Sequence, residues 1–249
     1  MTLVRAYDTP AQLAEAAAGM TVDAAVEAAR VRGRFVWGLS GGSTPAALYR
    51  LLTQPPYVHL MPWESTYVFW GDERWTGADQ PDSNQRMARE ALLDHVPVPA
   101  GHVLAIDTSV GDAEASAVDA EQRLRELFDG ERPRADLLLL GVGDDGHTAS
   151  LFPGAGALSE QDLLFTATRA GPLNAWRITA TLPLINASRR ALVLAQGASK
   201  AWAVAHALGP ETAEPPLPAA RVRPEGGILL WLLDREAAGA AVGADQANG

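Results

Sequence analysis

The apolar positions of this chain change period repeatedly, and each change predicts an element. Leu3 to Asp8 (LVRAYD) reads as a short strand. Thr9-Pro10 then opens a helix, with threonine as N-cap and proline at the first helical position. Alanines and valines continue at helical spacing to about Arg32, and Gly33 closes the helix. Arg34 to Leu39 predicts a second strand, running into SGGSTP (Ser40–Pro45) and a helix to Leu52. Thr66 to Trp70 is a third strand, ending in GDERW, after which Asp82-Ser83-Asn84 caps a helix to about His95. A short strand over His102–Ile106 and an amphipathic helix over Asp112–Phe128 lead to DLLLLGVGDDGHTASLFPG, Asp136 to Gly154. Its consecutive leucines have the pattern of a strand buried on both faces, as in a parallel sheet.

The second half is more β-rich. Strands are expected at Leu164–Thr168, Arg177–Thr181 and Arg190–Ala195, with a turn at Pro183–Ser188. A helix over Ser199–Leu208, capped by Ser199 and ended by Gly209-Pro210, precedes a proline-rich loop at Glu214–Pro218. Ile228–Leu233 is a final apolar strand, and Asp234 caps a short helix. Alternating strands and helices predict an α/β fold with a mainly parallel sheet, as one domain over 1–238 and a disordered tail over 239–249.

Composition narrows the chemistry. The net charge of −10 disfavours nucleic acid and anionic membranes as partners, although a local basic site still suits an anionic substrate. Without cysteine there are no disulfides, thiolate metal sites or thiol redox chemistry. No apolar run approaches the roughly 18 residues of a membrane helix, and the N-terminus shows no signal peptide, so the cytoplasm is the expected compartment. The basic residues are nineteen arginines and one lysine, Lys200. In a composition where lysine has given way to arginine, a remaining lysine is either a chance survivor on the surface or a place where a compact ammonium serves and a planar fork does not.

Four segments carry candidate chemistry. LSGGSTP (Leu39–Pro45) places Gly41, Gly42, Ser43 and Thr44 between a strand and a helix N-terminus, an arrangement suited to a phosphate and equally to a capped βα turn. It is neither a P-loop nor a dinucleotide fingerprint. WGDERW (Trp70–Trp75) brings Asp72, Glu73 and Arg74 to a strand end, as a site or a solvated charge cluster. The glycine-rich segment after the leucine strand puts Asp144, Asp145 and His147 where open α/β sheets bind ligands. QGASKA (Gln196–Ala201) puts Lys200 in a first helical turn, where the helix dipole opposes a cation unless an anion lies between. Arg177, opening RITATLP, is a further candidate, or a surface strand charge. Together these segments are expected to meet at four strand ends of one sheet.

LSGGSTPAALY, GDERW with DSNQRMARE, DLLLLGVGDDGHTASLFPG, RITATLPLINAS, GASKA and GGILLWLLD resemble, in order and spacing, the motifs of 6-phosphogluconolactonases over Leu39–Asp234. The resemblance implies a Rossmann-like fold with helices on both faces, shared with glucosamine-6-phosphate deaminases and ribose-5-phosphate isomerases. It implies hydrolysis of 6-phosphoglucono-δ-lactone in the oxidative pentose phosphate pathway with no metal or other cofactor, by a monomer or weak homodimer. His147 would be the general base, with Asp145 or Asp144 orienting it. Gly41, Gly42, Ser43, Arg74, Arg177 and Lys200 would hold the phosphate, and Asp72 would lie near the sugar hydroxyls. Backbone amides of the Gly141–Gly146 turn are the candidate oxyanion donors. A deaminase of similar fold would carry a second acid soon after the histidine, whereas here none occurs before Glu160, and Met-Asp-Glu-Tyr is replaced by Gly-Asp-Glu-Arg. A sugar-phosphate sensor would carry a basic helix-turn-helix ahead of the core, where this chain has about 33 acidic or neutral residues.

Overall fold

The structure, a computed structural model, describes residues 1–170, 174–209 and 216–239. Pro210, the Glu214–Pro215 part of the expected loop, and the expected tail beyond Gly239 lie outside the described residues. In chain order the first half runs β1 (Thr2–Tyr7), α1 (Pro10–Arg32), β2 (Phe35–Leu39), α2 (Ser43–Leu52), α3 (Tyr57–Leu60), β3 (Thr66–Trp70), β4 (Asp72–Arg74), α4 (Asn84–Ala91), β5 (Val103–Leu104) and α5 (Ala113–Leu127). The second half runs β6 (Leu137–Gly141), β7 (Phe165–Ala170), β8 (Ala175–Ala180), α6 (Leu182–Ala187), β9 (Arg190–Ala195), α7 (Ala201–Leu208), β10 (Ile228–Asp234) and α8 (Arg235–Ala238).

Local chemistry explains most of these boundaries. Thr9 and Gln12 form a reciprocal capping box at the start of α1. Ser83, Asp112 and Asp234 cap α4, α5 and α8 through their side chains, each accepting from a backbone N–H of the first turn.

Seven strands form one parallel sheet in the order β1-β10-β9-β6-β2-β3-β5. All of β2 and Leu137–Leu140 of β6 are buried, so both faces of the sheet centre are covered. This is the Rossmann-like α/β class, and the leucine run reads as expected. From β2 the chain first steps outward through β3 to β5, then returns to place β6 on the other side of β2. The switch point therefore lies between β2 and β6, where such sheets open a crevice for ligands. Asp136 anchors this junction: its carboxylate accepts from Val36 N at 2.8 Å and from Arg32 Nε at 2.8 Å, and is 3.3 Å from Arg189 Nε.

Four sequence expectations are corrected. GDERW does not simply end a strand of the main sheet: Asp72–Arg74 is itself β4, which joins β8 and β7 in a separate antiparallel sheet. Pro183–Ser188 is not a turn, because Leu182, Leu184, Ile185 and Ala187 are buried along the short helix α6, with proline tolerated in its first turn. The helix expected from Ser199 begins at Ala201 after a 3₁₀ turn over Ala198–Lys200, and the helix expected to reach about His95 ends at Ala91. Among the described residues no helix is long and apolar enough to cross a membrane.

Candidate active site

A cavity of about 290 Å³ opens at the switch point. It is lined by Ser40, Gly41 and Gly42 after β2, by Gly141–Gly143, His147 and Ala149 after β6, by Lys200 before α7, and by Asp72, Arg74, Asn84 and Arg177. The four sequence segments thus converge, but not on one sheet. Arg74 and Arg177 sit on the small antiparallel sheet, which folds over the strand ends of the large one. A larger cavity, about 470 Å³, lies along Met1, Val222 and Trp231, and Arg223 is the one charged side chain among its described lining residues.

The β2 loop is held from beneath. The Tyr49 phenol on α2 accepts from Ser40 N at 3.0 Å and donates to Ser40 O at 2.9 Å, and burial pushes this hydroxyl's pKa above its ordinary value. Gly41 is required by close approach, since a Cβ there would lie 1.9 Å from Asn84 Oδ1. Ser43 opens α2 and is exposed, and it does not line the cavity.

The β6 loop divides its two acids. Asp145 Oδ1 lies 2.5 Å from His147 Nδ1 and also accepts from His147 N at 3.1 Å. Partial burial works against ionisation of Asp145, but these bonds outweigh it, so the carboxyl sits below the usual carboxylate range. Asp144 points elsewhere. Its Oδ1 accepts from Lys200 Nζ at 2.6 Å and from Ser199 Oγ at 3.1 Å, and the Lys200 bond chiefly holds its pKa down. Ser199 therefore bonds Asp144 instead of capping α7. The loop itself is tight. Gly143 N donates to His147 O at 2.8 Å and Gly146 N to Gly143 O at 2.9 Å, so neither amide is open to a ligand as the sequence reading expected. A Cβ on Gly143 would fall 2.0 Å from His147 Nδ1. Ala149, on the cavity wall, adopts φ 48°, a left-handed conformation that costs energy for a residue with a Cβ.

Phe152 completes the histidine's surroundings. Its ring stacks on His147 with centroids 4.1 Å apart and planes inclined by 21°, and Arg177 Cζ lies 5.6 Å from the Phe152 centroid. Arg177 Nη1 reaches Ser150 Oγ only at 3.5 Å, and its buried Nε has no partner. Burial, and next the charge of Arg74, lower the Arg177 pKa from its ordinary value. Arg74 Nη1 donates to Asp82 O and, at 2.9 Å, to Asn84 Oδ1, while its own buried Nε is also unpartnered.

Beneath the arginines runs a buried polar frame. Asp72 accepts from Ser150 Oγ at 2.7 Å and from Asn84 Nδ2 at 3.3 Å. Glu73, 1% exposed, accepts from the backbone N–H groups of Arg74, Asn84 and Gln85 and from Ser83 Oγ. Burial pushes its carboxyl up despite those donors. Sequence reasoning treated Asn84 only as part of a helix cap and passed over Ser150 and Phe152. Nothing local distinguishes Asn84 and Ser150, because each bonds a partner from a different element, whereas Phe152 stacks on His147 within its own loop.

Fold and crevice define a Rossmann-like α/β protein with its ligand site at the switch point of the parallel sheet. The chain belongs to the family of glucosamine-6-phosphate isomerases and 6-phosphogluconolactonase, which it matches over residues 8–231. It is 44% identical over 209 residues to the 6-phosphogluconolactonase of Synechocystis sp., covering 83% of this chain and 84% of that protein. To the 6-phosphogluconolactonase of Nostoc sp. it is 43% identical over 215 residues, covering 84% and 86%. The solved structure of 6-phosphogluconolactonase from Trypanosoma cruzi superposes with a TM-score of 0.86 at 31% identity, over 96% of each chain.

Proposed function

We propose that this chain hydrolyses 6-phospho-D-glucono-1,5-lactone to 6-phospho-D-gluconate, the second step of the oxidative pentose phosphate pathway, with His147 as general base. The reaction itself is supported by relatives of that activity at 43–44% identity. The observation that carries the mechanism is that His147, bonded to Asp145, lines the same cavity as three cationic side chains, Arg74, Arg177 and Lys200.

With Asp145 ionised, its oxygen accepts a hydrogen bond from the Nδ1–H of His147, which keeps the proton on Nδ1 and leaves Nε2 as the basic nitrogen. Nε2 takes a proton from water as the water oxygen adds to the lactone carbonyl carbon, and the carbonyl electrons move onto oxygen. Collapse of that tetrahedral oxyanion breaks the bond to the ring oxygen. The imidazolium, held by the ionised Asp145, returns its proton to the departing oxygen, so the histidine ends neutral. The 6-phosphate is held by Gly41, Gly42 and the α2 N-terminus, with Ser43 at the rim, and by Arg74, Arg177 and Lys200. Asp72 faces the sugar hydroxyls. It already accepts from Ser150 and Asn84, so it meets them with its remaining lone pairs. Residues 1–238 are read as one domain, since the family match runs across 8–231.

The test is lactone hydrolysis by the purified protein, run beside a glucosamine-6-phosphate deamination assay. Lactonase turnover without deamination is expected, and His147→Ala is expected to lower kcat by about 10²–10⁴-fold with the fold retained by circular dichroism. A near-wild-type rate for that variant removes His147 from the role of base.

A further inference from the structure

Of the three cationic side chains that line the cavity, Lys200 alone, among the described residues, is hydrogen-bonded to a carboxylate. Arg74 and Arg177 bond to a carbonyl, an amide and a hydroxyl, and each keeps an unpartnered buried Nε. Asp144 faces outward, its side chain 65% exposed against 29% for Lys200, so it meets the ammonium from the solvent side. The sequence argument that Lys200 needs an anion is therefore met, before any substrate arrives, by the chain itself.

We propose that Asp144 is a built-in counter-anion of the phosphate anchor, which weakens phosphate binding at Lys200 and so sets the site's affinity for phosphorylated ligands. The inference rests on the reading of Lys200 as a phosphate anchor. A phosphate that engages Lys200 must either share the ammonium with a carboxylate 2.6 Å from it or displace that carboxylate into water. Sharing sets two anions side by side on one cation, and displacement breaks the Lys200 bond that lowers the Asp144 pKa. Either way part of the attraction is spent. Because Asp144 is largely hydrated, the loss is moderate, as expected of a device that tunes affinity and lets a phosphorylated product leave. Among the described residues the Arg74 and Arg177 side chains bond no carboxylate, so neither has such a bond to give up to the ligand.

The test uses inorganic phosphate as a competitive inhibitor of the whole enzyme, with Asp144→Asn, Lys200→Ala and the double variant. Asparagine keeps an acceptor for Lys200 and removes the charge. Asp144→Asn is expected to lower the phosphate inhibition constant by about three- to tenfold, and to lower KM for the phosphorylated lactone in parallel. In the Lys200→Ala background the same change is expected to have much less effect, because the cation it competes for is gone. An unchanged or raised inhibition constant for Asp144→Asn, while Lys200→Ala still loses phosphate, overturns the proposal and leaves the anchor reading standing. If Lys200→Ala binds phosphate as the wild type does, the anchor reading fails first and the proposal with it. A fall in turnover of unphosphorylated gluconolactone by Asp144→Asn, with no gain in phosphate affinity, would instead make Asp144 a strut of the His147 loop.

Discussion

Arg74 on β4 and Arg177 on β8 are register partners across an antiparallel pair, two guanidinium groups brought together at the mouth of one cavity. Like charges directly opposite destabilise a sheet, and each of these carries a buried Nε without a partner. If this pair holds the 6-phosphate as proposed, the anion meets both groups and offsets their mutual repulsion.

Arg177→Ala is accordingly expected to raise KM for the phosphorylated lactone by about 10–100-fold, the worth of a charge-assisted hydrogen bond. Without ligand its Tm should equal or exceed that of the wild type. Added inorganic phosphate should raise the wild-type Tm more than the variant's. Thermal unfolding with and without phosphate checks this, and an equal phosphate-induced shift in both proteins would remove Arg177 from the anion site.

Asp145→Asn should lower kcat by at least about tenfold at neutral pH, since an amide no longer fixes the imidazole in the tautomer that leaves Nε2 basic. The same variant has a stability signature. The Asp145 pKa in the folded protein lies below its ordinary value, so the stability linked to its ionisation is fully present above about pH 4 and is lost as pH falls through the native value. Urea midpoints of wild type and variant should therefore differ at pH 5 and converge toward pH 3. A gap that widens in acid would contradict the assignment.

Phe152→Leu keeps an apolar side chain but removes the face that lies 4.1 Å from the His147 ring and is shared with Arg177. An aromatic face steadies the imidazole and favours the imidazolium formed during water attack. Steady-state kinetics should show kcat lower by about three- to tenfold with a smaller change in KM, and Phe152→Tyr should restore the rate. A loss expressed wholly in KM, or one that tyrosine leaves unrepaired, would reduce Phe152 to packing.

Much of this protein is written locally. The capping box at Thr9 and Gln12, the Ser83, Asp112 and Asp234 caps and the leucine run of β6 depend on neighbours within a few residues, so spacing and residue type suffice to find them. The glycine segments after β2 and β6 were legible for the same reason, and they flank the switch point as the alternation of strands and helices implied. The turn expected at Pro183–Ser188 failed where burial of α6 against the rest of the chain outweighed a local signal.

What the sequence determined by itself is a parallel α/β sheet, the loops that carry its chemistry and, through motif resemblance, the family. Tertiary structure alone decided how those loops are joined. It paired Arg74 with Arg177 across 103 positions of chain by lifting Asp72–Arg74 out of the main sheet. It also carried Asp144 to Lys200, 56 positions along the chain, and so left Asp145 as the partner of His147. The physical reason is that spacing encodes which face of its own element a residue occupies. A salt bridge or a cross-strand register depends on the directions of side chains from elements far apart in sequence, and these exist only once the sheets have packed.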